Sequence, residues 1–148
     1  ATQVIGVDNS LAMLDMGRRD LPNGHFAGAT TEAIPLAGES CDVVLCGLAL
    51  GHLPTLEASL SEIARVLRRG GLGLISDFHP FLALTGKQRT FTAPDGRVFA
   101  VEHYPHLYSD MLTVARSVGL RIEDIREPRL KIDGATQPAV IVYRLTKG

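Results

Sequence analysis

Val4-Ile5-Gly6-Val7-Asp8-Asn9-Ser10 reads as a short strand that ends in a carboxylate and turns straight into a helix. Val4, Ile5 and Val7 supply the apolar run, Ser10 carries the hydroxyl of an N-cap, and Ala12, Met13 and Leu14 begin the helix behind it. In nucleotide-binding α/β folds, an acid at the end of such a strand reaches ribose hydroxyls. A glycine-rich strand–turn–helix precedes it in those folds, and residues 1–3 leave no room for one. The stretch is therefore expected to form the second half of a cleft whose first half is missing from this chain.

Outward from that stretch, strands and helices alternate, which predicts an α/β fold with a mostly parallel sheet. The pattern predicts a strand over 3–8, a helix over about 11–19, a short strand over 25–28 and a loop through 32–36. Residues 42–48 are nearly continuous in apolar side chains, as a strand buried on both faces should be. Leu56, Leu60, Ile63, Ala64 and Leu67 then repeat at helical spacing. Arg68-Arg69-Gly70-Gly71 reads as the cap of that helix and a tight turn into a strand over 72–78. After Pro80 the pattern changes. Residues 89–91 and 98–101 flank Ala93-Pro94-Asp95-Gly96, a hairpin signal. A helix over about 108–118 stops at Gly119, and strands over 120–126 and 139–145 suit an antiparallel finish. The chain is expected to be one domain over 1–148, with an insertion at about 81–108 that covers the substrate side and moves more than the sheet.

A chain of 148 residues can bury a core of its own. Its net charge of −1 provides no basic excess for nucleic acid or a membrane surface. No apolar run approaches the ~20 residues of a membrane-spanning helix. No signal peptide is visible, and the lack of an initiator Met points to a start other than the natural one. Cys41 and Cys46, five apart on one strand, point to opposite faces, so free thiols in the cytoplasm are expected rather than a disulfide.

Several of these segments fall into a known order. Val4-Ile5-Gly6-Val7-Asp8-Asn9-Ser10 with Met13-Leu14, Thr31-Glu32-Ala33-Ile34-Pro35-Leu36 and Cys41-Asp42-Val43-Val44 open it. Leu48-Ala49-Leu50-Gly51-His52-Leu53 and Glu62-Ile63-Ala64-Arg65-Val66-Leu67-Arg68-Arg69-Gly70-Gly71 continue it. The ordered set resembles the class I S-adenosylmethionine-dependent methyltransferases, in particular the small-molecule enzymes of the ubiquinone/menaquinone-biosynthesis type. It covers residues 4–77 well and the remainder only in layout. The resemblance implies a Rossmann-like methyltransferase sheet, mostly parallel with an antiparallel C-terminal strand. It implies S-adenosylmethionine as cofactor, and a glycine-rich segment for the methionine carboxylate that lies outside this chain. Gly70-Gly71 does not replace that segment.

Residue by residue, the resemblance implies that Asp8 accepts hydrogen bonds from the cofactor ribose, with Asn9 and Ser10 forming the adjoining turn. Thr30 stands where the family carries an acid for the adenine amine, and Thr31 follows with a backbone contact. Gly47, Leu48 and Ala49 would lie beside the methionine part and the transferred methyl, where small apolar groups favour a dry, close approach.

On the substrate side, Asp77-Phe78-His79-Pro80 sits at the carboxyl end of a parallel strand, where open α/β sheets place ligands. His103-Tyr104-Pro105-His106 follows the hairpin. His79, His103 and His106 are candidate general bases, because imidazole titrates near neutrality. Tyr104 and Tyr108 are candidate walls of an aromatic pocket, and His52 is expected to pack or cap. A metal on two of these histidines and Asp77 is set aside for want of a fourth strong ligand. The expected function is methyl transfer to a small molecule, with no nucleic-acid partner and no membrane span. The alternatives are a non-catalytic methyltransferase-like binding or assembly module, and a nicotinamide-binding domain that shares the strand-terminal acid. In the family's sheet a further strand lies between 3–8 and 42–48. Without it those two strands are expected to pair directly, to receive a second copy as a homodimer or strand-swapped partner, or to await upstream residues.

Overall fold

The computed structural model describes residues 3–84, 86, 90–132 and 134–148. The first unit of structure is β1 (Ile5–Asp8), α1 (Leu11–Asp20) and β2 (His25–Gly28). β1 and β2 run parallel in the register Ile5↔His25 to Asp8↔Gly28, so both strands end level with each other. Ser10 caps α1 by accepting the Met13 N–H on its hydroxyl at 3.4 Å. Leu14 is the buried residue of the helix and Phe26 fills the space between helix and strands. A Cβ on Gly6 or Gly17 would sit 2.6 or 2.5 Å from the Phe26 ring, so both glycines are there to admit it.

The second unit is a four-stranded sheet in the order β3-β4-β10-β7, built from β3 (Cys41–Gly47), β4 (Leu67–Phe78), β7 (Leu120–Arg126) and β10 (Val140–Lys147). β3 and β4 are parallel, and β10 lies antiparallel between β4 and β7. The expected antiparallel finish is present. α2 (Glu57–Val66) and α4 (Tyr108–Ser117) cover this sheet, with a 3₁₀ turn at Leu50–His52. Leu60, Ile63 and Leu67 from the α2 side, Ile75 from β4, Ala115 from α4 and Ile141 and Leu145 from β10 form the core. Gly119, at φ +79°, ends α4 and turns the chain into β7. The remaining elements are α3 (Pro80–Leu84) and two hairpins, β5 (Thr90–Thr92) with β6 (Val98–Ala100), and β8 (Arg129–Ile132) with β9 (Ala135–Pro138).

Two expectations need correction. Arg68-Arg69-Gly70-Gly71 does not cap α2. The helix ends at Val66, and these residues form an irregularity inside β4, between the pairs Cys41↔Leu67 and Val43↔Leu72. Gly70 serves that bend with φ +70°. Nor is β3 buried on both faces: Val43 is 51% and Leu45 73% exposed, while Val44 and Cys46 face the core. The helices cover one side of the sheet, and β3 is its edge. β1 pairs with β2 and not with β3, so the direct pairing of the two strands does not occur among the described residues.

Candidate active site

Asp8 stands at the end of β1 as the strand pattern requires. Its Oδ1 accepts the Ser10 N–H at 2.7 Å, which closes the turn into α1. Its Oδ2 has no protein partner among the described residues, and the side chain is half-buried. A carboxylate oriented by one bond with one oxygen left over fits a ligand hydroxyl or diol. Asn9 is exposed beside it. The next strand's end is tied to the same place, because the Ala29 N–H donates to the Asp8 carbonyl at 3.1 Å.

The loop that follows is gripped by α2. Thr31 and Ser59 share a hydroxyl bond of 2.8 Å, and Ser59 is fully buried. Thr31 thus spends its side chain on the scaffold, whereas Thr30 is exposed. Glu62 accepts the Ile34 N–H at 2.7 Å and forks with Arg65, which in turn donates to the Ile34 and Leu36 carbonyls at 2.9 and 2.8 Å. The hydrogen bond from Arg65 holds the Glu62 carboxyl below its ordinary value of 4.5. This clamp explains physically why Glu62-Ile63-Ala64-Arg65 accompanies the Thr31–Leu36 loop in the sequence.

At the end of β3, Leu48 has a left-handed backbone, φ +55°, held by its N–H bond of 2.7 Å to the Ser76 carbonyl. Non-glycine residues adopt this conformation at a cost, and such strain clusters at functional sites. Gly47 pairs with Ser76, and Ala49 packs on the core. Gly47 and Leu48 are therefore placed directly beside Asp77, at the carboxyl end of β4.

Asp77 lines a narrow cleft with Leu50, Leu56, Phe78, His103, Tyr104, His106, Met111, Ile141 and Tyr143. A Cβ on Gly51 would meet both the His103 ring, at 2.4 Å, and the Asp77 carboxylate, at 2.9 Å. Gly51 is needed where these two groups converge. Burial raises the Tyr143 phenol strongly, helped by the charges of Asp77 and Glu127, so it keeps its proton. His106 places Nε2 at 2.9 Å from the Leu53 carbonyl and 3.3 Å from the Leu50 carbonyl. Carbonyls only accept, so Nε2 carries the proton and Nδ1 of the neutral ring is the basic nitrogen.

His79 is apart from this cleft's lining. It is 5% exposed, its Nδ1 accepts the Phe81 N–H at 3.2 Å, and its Nε2 lies 2.5 Å from the Tyr108 hydroxyl and 3.3 Å from Glu127. Of the three candidate histidines, His103 and His106 share the cleft with Asp77, and His79 has both nitrogens engaged elsewhere. His52 is exposed on the 3₁₀ turn. Met111, Glu127 and Tyr143 were not picked out from the sequence. Their only signals were an apolar position in a helix, an acid before Pro128 and an aromatic in a strand. Among the described residues, no group of His, Cys, Asp or Glu is arranged to hold a metal, and no helix is long and apolar enough to cross a membrane.

Residues 1–75 match a family model described as a methyltransferase domain. A ubiquinone/menaquinone biosynthesis C-methyltransferase of Campylobacter jejuni subsp. jejuni serotype O:6 is 32% identical over 73 residues, which are 49% of this chain and 31% of that protein. A demethylmenaquinone methyltransferase of Beutenbergia cavernae is 32% identical over 111 residues, 71% of this chain and 45% of that one. The chain thus spans less than half the length of these curated relatives. The crystal structure of a candidate S-adenosylmethionine-dependent methyltransferase from Listeria monocytogenes covers 100% of this chain, and 81% of its own length is covered in return. Its TM-score is 0.81 at 20% identity, a likeness of fold.

Proposed function

This chain belongs to the methyltransferase domain family, and we propose that it acts as an S-adenosylmethionine-dependent methyltransferase on a small molecule. The observation that carries the reading is Asp8, with Oδ1 fixed by Ser10 and Oδ2 open at the level strand ends of β1 and β2. Oδ2 accepts a ribose hydroxyl, Asn9 flanks it, Thr30 and the Thr31 backbone border the adenine, and Gly47 and Leu48 form the wall nearest the transferred group. When bound, S-adenosylmethionine supplies a methyl group on a cationic sulfur. The acceptor is assigned to the cleft that Asp77, His103 and His106 share with Leu50, Leu56 and Met111.

His106 is the general base on this reading. Its Nε2–H is anchored on two backbone carbonyls, so the ring is oriented and Nδ1 would hold the proton that the acceptor gives up. Asp77 and His103 at Gly51 shape the floor of the cleft. A net charge of −1 supports a small acceptor rather than nucleic acid. The test is incubation with methyl-labelled S-adenosylmethionine and a metabolite extract. Label is expected in a small organic product, and label only in a protein or nucleic-acid fraction would overturn the reading.

A further inference from the structure

The cluster of His79, Tyr108 and Glu127 lies beyond the cleft, and each member comes from a different part of the chain. His79 is the last residue before α3, Tyr108 the first of α4, and Glu127 follows β7. The chain leaves the sheet at His79 and rejoins it through α4, which begins at Tyr108. The returning limb carries His103 and His106, the latter two positions before Tyr108. The hydrogen bond between His79 and Tyr108 therefore closes that excursion at its neck.

The backbone holds the cluster in register. The His79 N–H donates to the Ala139 carbonyl at 3.0 Å, and the Ala139 N–H donates to the Pro128 carbonyl at 3.1 Å, beside Glu127. Proton positions follow from the acceptors. Nδ1 of His79 accepts the Phe81 N–H, so Nε2 of the neutral ring bears the hydrogen and donates to the Tyr108 oxygen. Glu127 Oε1 lies 3.3 Å from that same Nε2, so one imidazole N–H faces both the phenol oxygen and the carboxylate. Burial, and then the neighbouring Glu127 carboxylate, push the Tyr108 phenol up to about 12, and Tyr108 and His79 together hold the Glu127 carboxyl below its ordinary 4.5. The rings of His79 and Tyr108 also meet edge to face, with centroids 5.7 Å apart.

We propose that Glu127, acting through His79 and Tyr108, is a positioning residue that clasps the limb 98–107 where it enters α4 and so sets the place of His106 in the cleft. The statement that this segment is the substrate side rests on the function proposed above; the clasp itself does not. Glu127 is not a cleft residue, and its effect reaches His106 only through the chain at Tyr108.

The test compares the wild type with Glu127→Gln, Tyr108→Phe and the double variant by imidazole-nitrogen NMR and amide hydrogen exchange. Thr146→Val serves as control, since the Thr146 hydroxyl bonds Glu123 on the outer surface of β10 and β7, away from the cleft. In the wild type, His79 is expected as the Nε2–H tautomer with a slowly exchanging ring proton. Either single substitution should remove that slow exchange and shift the His106 ring signals. Amides over 98–107 should exchange about tenfold faster, the effect of losing one hydrogen bond of ordinary strength. Amides of β4 and α2 should stay as they were, which shows the variants are folded. The double variant should be no faster than the singles, because all three side chains act as one unit. Unmoved His106 signals in a folded Glu127→Gln protein, or additive effects of the two substitutions, would overturn the clasp. Failure of the wild type to bind S-adenosylmethionine would count against the proposed function and leave these readouts as they stand.

Discussion

Replacing Asp8 separates the turn bond of this carboxylate from the ribose contact proposed for it. Oδ1 closes the turn into α1 by accepting the Ser10 N–H, and Oδ2 is the oxygen assigned to the ribose. Asp8→Ala removes both. Loss of a half-buried turn bond costs about 1 kcal/mol of stability, or roughly 2–4 °C in melting temperature for a domain of this size. Loss of the charge-assisted bond to the ligand costs about 1.5–3 kcal/mol, roughly tenfold to over a hundredfold in affinity. Asp8→Asn separates the two effects, because the amide oxygen still accepts from Ser10 while the charge is gone. It should melt close to the wild type yet bind S-adenosylmethionine almost as poorly as Asp8→Ala. Asp8→Glu should recover little, since the longer chain misplaces both oxygens. Titration calorimetry beside thermal melts reads both quantities. An Asp8→Asn protein that binds as tightly as the wild type would assign Asp8 to the turn alone and refute the reasoning.

Three further outcomes follow from particular residues. Burial first, and then the charge of Asp77, push the Cys46 thiol up to about 11, so at pH 8 only about one molecule in a thousand is thiolate. Iodoacetamide should modify half-exposed Cys41 and spare Cys46 until the protein unfolds, and equal rates would contradict that burial. Leu48 at φ +55° carries strain of about 1–2 kcal/mol. Leu48→Gly should therefore melt several degrees above Leu48→Val, whose branched side chain suits that backbone worse, and the reverse order would dismiss the strain. The folded Glu62 carboxyl is held below 4.5 by Arg65, so its contribution is present above that pH and is lost as pH falls through the lowered value. The melting difference between wild type and Glu62→Gln should shrink as pH drops below 4.5, and a difference independent of pH would rule the ion pair out as its source.

Local chemistry was legible in the sequence wherever one segment sufficed. Asp8 followed by a Ser cap specified the strand end and the helix start, and Gly119 marked the end of α4. His25–Gly28 and Leu120–Arg126 emerged with the bounds that their flanking turns imply. What failed was whatever depends on neighbours. Gly70-Gly71 has the composition of a helix cap, but pairing between β3 and β4 draws it into the sheet as a bend. Val43 and Leu45 have the composition of a two-faced core strand, but at the sheet edge with helices on one side they are open. The β8–β9 hairpin is harder to read because Arg129–Ile132 alternates ahead of Asp133-Gly134, a turn signal, but Ala135-Thr136-Gln137-Pro138 has no matching alternation and ends in proline. The candidate site divides in the same way. Asp8, Leu48 and His106 were legible as residue types at strand and loop ends. Which histidine keeps a basic nitrogen in the cleft depended on Phe81, Tyr108 and Glu127 for one and on the Leu50 and Leu53 carbonyls for another. None of those partnerships has a sequence signature.

Asp8 at the end of β1 is proposed to recognise S-adenosylmethionine, and a strand-terminal acid alone would serve a nicotinamide cofactor equally well. Titration calorimetry of the protein with S-adenosylmethionine and, separately, with NAD distinguishes the two most directly. The account predicts saturable binding of S-adenosylmethionine that is weakened in Asp8→Asn, and no heat of binding with NAD. Binding of NAD alone would contradict it.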